Sequence, residues 1–319
     1  MNNIECHFED HLKNAEKKDL HSKITKSINS WKNSLDDFEN IIFYGPSGVG
    51  KYTMALKTIK KYSPSLLKYE KKVSINSSKG LFIVKISDIH YEIDMSLLGC
   101  NSKQLWHETY LHILDVISAK GMRNGIILCK NFQEIHSELL EIFYSYMQTI
   151  FSPIQIKYFI LTEELSFIPD NIRKCCQIIS IPRPTRLNYN KCLSIKLDKK
   201  YDLSEITNLK KIELNIEDKN SIRNISQKIV QYLLDVEEIK FLKFRDVLYD
   251  LFINNMSIPY CIWYVLDILI ENKHLKEEDM GEVMEKMYQF FQFYNNNYRP
   301  IYHLESFMFF LISKIHGFK

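Results

Sequence analysis

The 319-residue sequence predicts an α/β domain on a parallel sheet, followed by an all-α half. Short apolar runs alternate with helical stretches as far as Ile181, the pattern of parallel strands covered on both faces. Past the prolines of "IPRPTR" (Ile181–Arg186), strand signals fade and helical periodicity dominates. A glycine-rich stretch, Gly45–Lys51, lies between the first apolar run and the helix after it.

In chain order, residues 1–38 are polar and helical, with Ile24, Ile28 and Trp31 as a spaced apolar set. Ile41–Tyr44 is the first strand, and Thr53–Tyr62 the helix that follows the glycines. "GLFIVKIS" and "IHYEIDM" have strand character, the second placing Ile89, Tyr91, Ile93 and Met95 on one face. Ser102–Lys120 is a helix with Leu105, Tyr110, Leu111 and Leu114 inward. Gly125–Lys130 is a buried strand and about 134–150 a helix; Ile156–Thr162 and Gln177–Ile181 are further strands. Helices then occupy about 221–234, 238–254, 258–271, 276–294 and 301–315.

Hydrophobic residues make up 45% and charged residues 25%, which excludes a chain disordered throughout. The net charge of +3 is too small to imply nucleic acid by itself. The seven cysteines form no Cys-x-x-Cys pair or zinc spacing, and Cys175–Cys176 read as two reduced thiols. No 18-residue apolar run occurs, so no membrane span is expected and an intracellular, reducing compartment is.

"IIFYGPSGVGKYTMAL" (Ile41–Leu56) contains Gly-x-x-x-x-Gly-Lys between a strand and a helix, the context of a phosphate-binding loop. Gly45, Pro46, Ser47, Gly48, Val49 and Gly50 let backbone N–H groups turn toward phosphate oxygens, and Lys51 reaches the terminal phosphates. The expected cofactor is ATP or ADP. The metal side of the motif is missing. Tyr52 stands where a Ser or Thr hydroxyl completes a Mg2+ shell, and Thr53 comes one residue late. At the end of the strand that should carry an acidic pair stand Lys130 and Asn131, with Gln133 and Glu134 beyond it. The chain is therefore expected to cradle a nucleotide without a Mg2+ site or a catalytic base, and no catalytic residue is assigned.

"YGPSGVGKYT" resembles the clamp-loader small subunits of replication factor C. It is most similar to the subunit with a Gly-Pro-Ser-Gly-x-Gly-Lys-Lys-Thr loop, whose Thr is also displaced by one. "IHYEIDMSLLGCNSK" (Ile89–Lys103), "FIPDNIRKCCQIISIPRPT" (Phe167–Thr185), "FRDVLYDLFINNMSIPYCIWYVLDILI" (Phe244–Ile270) and "IYHLESFMFFLISKI" (Ile301–Ile315) are similar to further segments of that family. The resemblance covers residues 40 to 319, with gaps at 63–80 and 186–220. It implies an AAA+ nucleotide-binding domain at 1–184, a short helical lid at 185–219 and an all-α oligomerisation collar at 220–319. It implies a hetero-pentamer of clamp-loader subunits that places a sliding clamp on primer–template DNA. The most similar subunit is the end member that does not hydrolyse its own nucleotide. Location would be the nucleus or, for the diverged viral member that the departures from the family pattern and the Lys-, Asn-, Ile- and Tyr-rich composition of an AT-rich genome suggest, a host cytoplasmic replication site.

The departures are specific. Where the family carries Ser-Arg-Cys, with an arginine finger for a neighbour's ATP, this chain reads Lys174-Cys175-Cys176, with Arg173 adjacent. Thr162 stands at the first sensor position, and Lys210 in "NLKKIEL" replaces the second-sensor arginine and completes the nucleotide set. The family's N-terminal Lys-Tyr-Arg-Pro segment is absent from residues 1–38. Lys57, Lys60 and Lys61 read first as a solvated face, with nucleotide or DNA contact the alternative. The family places the region of Lys103, Lys120 and Arg123 toward DNA, which makes them phosphate-contact candidates. Phe290, Phe291, Phe293 and Tyr294 are divided between core and partner surface, while His303 and Glu305 are expected to be structural. Two other functions remain: a stand-alone AAA+ ATPase with unusual metal ligands, and a small-molecule P-loop kinase, whose substrate motifs are not visible.

Overall fold

The computed structural model describes residues 7–318 apart from 18, 32–33, 36–38, 78–79, 122, 149–153, 194–195, 198–202, 204–205, 207–221, 236–239, 255 and 297–298. Two compact units are present, Met1–Leu214 and Asn215–Lys319.

The first unit carries one seven-stranded sheet. Its strands are β1 (Asn40–Tyr44), β2 (Lys71–Ser77), β3 (Gly80–Ile86), β4 (His90–Asp94), β5 (Asn124–Lys130), β6 (Gln155–Thr162) and β7 (Cys176–Ser180). Their order across the sheet is β2-β3-β4-β5-β6-β1-β7. The five strands from β4 to β7 pair in parallel, while β2–β3 and β3–β4 are antiparallel. β1 and β5 are buried except at their ends, because both faces of the sheet are covered and alternate side chains enter different cores. The helices are α1 (Phe8–Lys17), α2 (Ser22–Asn29), α3 (Lys51–Tyr62), α4 (Ser102–Ala119), α5 (Ser137–Gln148), α6 (Asp170–Lys174) and α7 (Arg186–Cys192). On one face Ile41, Phe43, Ile126, Leu128 and Phe159 pack with Phe8, Leu12 and the apolar side of α3. On the other, Ile42, Ile127, Cys129, Tyr158 and Ile160 pack under Trp106, Ile113, Leu139 and Phe143.

The second unit is all helical. It contains α8 (Ile222–Leu234), α9 (Phe241–Ile253), α10 (Ile258–Glu271), α11 (Met280–Asn296) and α12 (Pro300–His316) around one apolar core. Helix α10 starts with a Ser257 cap to the Tyr260 N–H and a proline in its first turn, so its start is legible in sequence.

Several expectations change. Strand β2 is an addition to the strands expected from the sequence, and its residues "KKVSINS" are largely polar. As an edge strand it needs only Val73 and Ile75 turned to the core, and its exposed Lys71 and Lys72 suit an edge. Leu111, expected inward on α4, is 44% exposed; the buried stripe runs through Trp106, Tyr110, Ile113, Leu114 and Ile117. The helix expected over 134–150 begins at Ser137, after a single 3-10 turn at Phe132–Glu134. Phe290 and Phe307 stack in the helical core, whereas Phe293 is half-exposed and stacks on His303. Glu305, expected in a capped helix start, is instead buried one turn into a helix that begins at Pro300, where it pairs with Arg245. Lys210 and most of segment 185–219 lie outside the described residues. Among the described residues no helix is long and apolar enough to cross a membrane.

Candidate functional site

Strand β1 ends at Tyr44, and the chain turns tightly through Gly45–Gly50 into α3. Gly45 is required by close approach: a Cβ there would sit 2.1 Å from the Ile181 carbonyl oxygen. Gly48 (φ 70°) and Gly50 (φ 98°) hold left-handed conformations that suit glycine. No side chain caps α3, so its N-terminal N–H groups and its dipole face the turn. Pro46 and Gly48 are exposed and Ser47 half-buried, while Val49 is fully buried in the α1–α3 core.

Lys51 folds back over its own loop, its ammonium 2.7 Å from the Gly45 carbonyl and 2.8 Å from that of Pro46. It also lies 3.5 Å from the Glu163 carboxylate. Burial lowers its pKa, and the Glu163 charge opposes that only in part. A phosphate at the loop would offer Lys51 a stronger partner than two carbonyls.

Tyr52 and Thr53 do not supply a hydroxyl to the loop. The Tyr52 hydroxyl donates to Glu92 Oε1 at 2.7 Å, and burial beside that carboxylate raises its pKa well above the ordinary value. The Thr53 hydroxyl meets His11 Nε2 of α1 at 3.0 Å. Helical geometry explains the divergence, since successive residues are about 100° apart around the axis.

Glu92 is the site residue that sequence reasoning missed. It sits in the middle of β4 with a side chain 1% exposed, bonded by Tyr52 and lying 3.4 Å from Lys130 Nζ and 3.5 Å from His90 Nε2. Burial disfavours its charge, but the His90 contact, the Lys130 charge and the Tyr52 hydroxyl outweigh burial and hold the carboxyl at about 2. The available signal was a His-x-Glu alternation inside an interior strand, opposite in phase to Tyr91 and Ile93. At the end of β5, Asn131 adopts a left-handed conformation (φ 52°), and its amide donates to both Asp94 carboxylate oxygens at 3.0 and 3.1 Å.

A cavity of about 660 Å³ joins these parts. Gly48, Gly50, Lys51, Tyr52 and Thr53 line one side, Asp94, Lys130 and Asn131 another, and His11, Asp19 and His21 of the N-terminal segment a third. His21 Nε2 donates to the Val49 carbonyl at 2.7 Å, which ties that segment to the turn. Lys57 and Lys60 pair with Asp19 and Glu16, and Lys61 bonds the carbonyls of Asn29 and Trp31. The three lysines therefore hold α1 and α2 on α3 rather than forming a free basic face.

The residues at the metal position do not fit Mg2+. That ion needs compact oxygen donors, and the structure sets a tyrosine whose hydroxyl is committed to Glu92 next to the lysine ammonium. Among the described residues no group of three or more His, Cys, Asp or Glu side chains is arranged to hold a metal. Thr162, expected as a sensor, is buried and its hydroxyl donates to the Glu164 carbonyl at 2.6 Å. Cys175, expected at a finger position, is half-buried with its thiol bonded to the Ile172 carbonyl, and Arg173 pairs with Asp170. Lys120 bonds the carbonyls of Ser87 and Asp88 at 3.3 Å. Comparison with protein-family models and with curated proteins returned no match.

Proposed function

We propose that this chain holds a nucleoside triphosphate at Gly45–Thr53 without hydrolysing it and serves as a structural subunit of a clamp-loader assembly of AAA+ type. The observation that carries the nucleotide half is the cavity shared by the glycine turn, the uncapped start of α3 and Lys51. What supports the absence of turnover is the replacement of hydroxyl and acid by Tyr52, Lys130 and Asn131. The assembly half rests on the replication factor C resemblance, whose segments fall on β4, β7 and three helices of the all-α unit. A P-loop strand flanked by β6 and β7, with β5 and β4 beyond β6, is compatible with that fold class.

The test is co-expression of the full chain with clamp-loader subunits, followed by size exclusion. Co-elution at the mass of a hetero-pentamer supports the reading, and a chain that stays monomeric beside an assembled partner set overturns it. The competing reading is a stand-alone ATPase using Asp94 or Glu163, both of which line the cavity. It predicts Mg2+-dependent turnover by the isolated chain.

A further inference from the structure

We infer that Lys130 is a phosphate ligand, a fixed cation that stands in for the divalent ion, so that the chain binds ATP without Mg2+. This rests on the nucleotide reading above. Lys130 ends β5 and lines the same cavity as Lys51, Gly48 and Gly50. Its ammonium lies 3.4 Å from Glu92 Oε2 and 5.7 Å from the centre of the Tyr52 ring, with 31% of the side chain exposed. Glu92 is 1% exposed and also receives the Tyr52 hydroxyl, so the carboxylate is a rigid anchor rather than a ligand facing the cavity. An ammonium has three donors. Glu92 takes one from below, which leaves donors for a group in the cavity.

The same arrangement opposes a metal. A divalent cation among these residues would meet the Lys130 charge and find the Tyr52 hydroxyl turned away toward Glu92. A polyphosphate chain lying on the turn would instead be neutralised from two sides, by Lys51 and by Lys130. No protein group has to leave Glu92 for this to occur.

The experiment is calorimetric titration of the full chain with ATP, first in EDTA and then in excess Mg2+, repeated with Lys130→Gln and Lys130→Arg. The expected result is ATP binding in EDTA that excess Mg2+ does not strengthen, because the metal draws ATP into a complex that the Lys130 charge opposes. Lys130→Gln should weaken binding in EDTA by about tenfold or more, the scale of one charge-assisted hydrogen bond, and Lys130→Arg should retain most of it. ATP binding only with Mg2+, or a folded Lys130→Gln chain with unchanged affinity, overturns the inference and leaves the nucleotide cradle standing. No ATP binding in either buffer overturns the nucleotide reading itself. Should Lys130→Gln fail to fold with Glu92 left unpaired, the Glu92→Gln/Lys130→Gln double variant is compared with Glu92→Gln in EDTA; the same loss supports the inference and equal affinities overturn it.

Discussion

Replacing Glu92 with Gln should destabilise the α/β unit strongly at neutral pH and weakly in acid. The amide keeps the shape and can still accept from Tyr52, but it removes the charge that Lys130 and His90 face inside the protein. The wild-type carboxyl is held at about 2 against an ordinary 4.5, a difference that corresponds to about 3 kcal/mol. Because the folded-state value is the lower one, this stabilisation is complete above the ordinary value and disappears as pH falls from about 4.5 toward 2. Urea denaturation of both proteins at steps from pH 7 to pH 3.5 measures it. The gap between them should be about 3 kcal/mol at pH 7 and should narrow below about pH 4.5. A gap that is the same at both ends, or under about 0.5 kcal/mol at pH 7, would refute the buried ionic anchor.

Other substitutions probe the neighbouring parts. Gly45→Ala drives a Cβ to 2.1 Å from the Ile181 carbonyl, so it should cost about 2 kcal/mol or more, read as a lower thermal midpoint. Thr53→Val removes the His11 contact and should cost about 1 kcal/mol in denaturant titration. Lys51→Ala should weaken ATP binding by about tenfold or more while leaving the melting curve close to wild type, because its partners in the unliganded chain are two loop carbonyls and a partly exposed carboxylate. Leu266→Ala empties a fully buried position in the helical core and should cost about 2–5 kcal/mol, seen as faster hydrogen exchange along Ile258–Glu271.

Much of the fold was legible because its parallel strands are short, apolar and bounded by turn residues. Ile41–Tyr44 could be read as a strand without any partner in view, and Ile258–Glu271 was marked by a serine cap, a proline and an apolar stripe. Strand β2 was hidden because an edge strand buries only one face, and its exposed residues resemble a loop. The tight turn at Gly45–Gly50 was legible from glycine spacing, and the positions of Tyr52, Lys130 and Asn131 from single residues. Glu92 was not, because its role depends on β4 lying beside β5 and on Tyr52 reaching across from α3. The part played by His11 and His21 likewise depends on α1 and α2 folding back over α3, which no local pattern announces.

The cradle proposed for Gly45–Thr53 would hold a nucleotide without turning it over. It is tested most directly by following phosphate release from ATP by the isolated chain at a concentration where calorimetry shows the site filled, with Mg2+ present. A filled site and release no faster than that of a Lys51→Ala control are expected. Mg2+-dependent release above that control would contradict it and point to Asp94 or Glu163 as a working carboxylate.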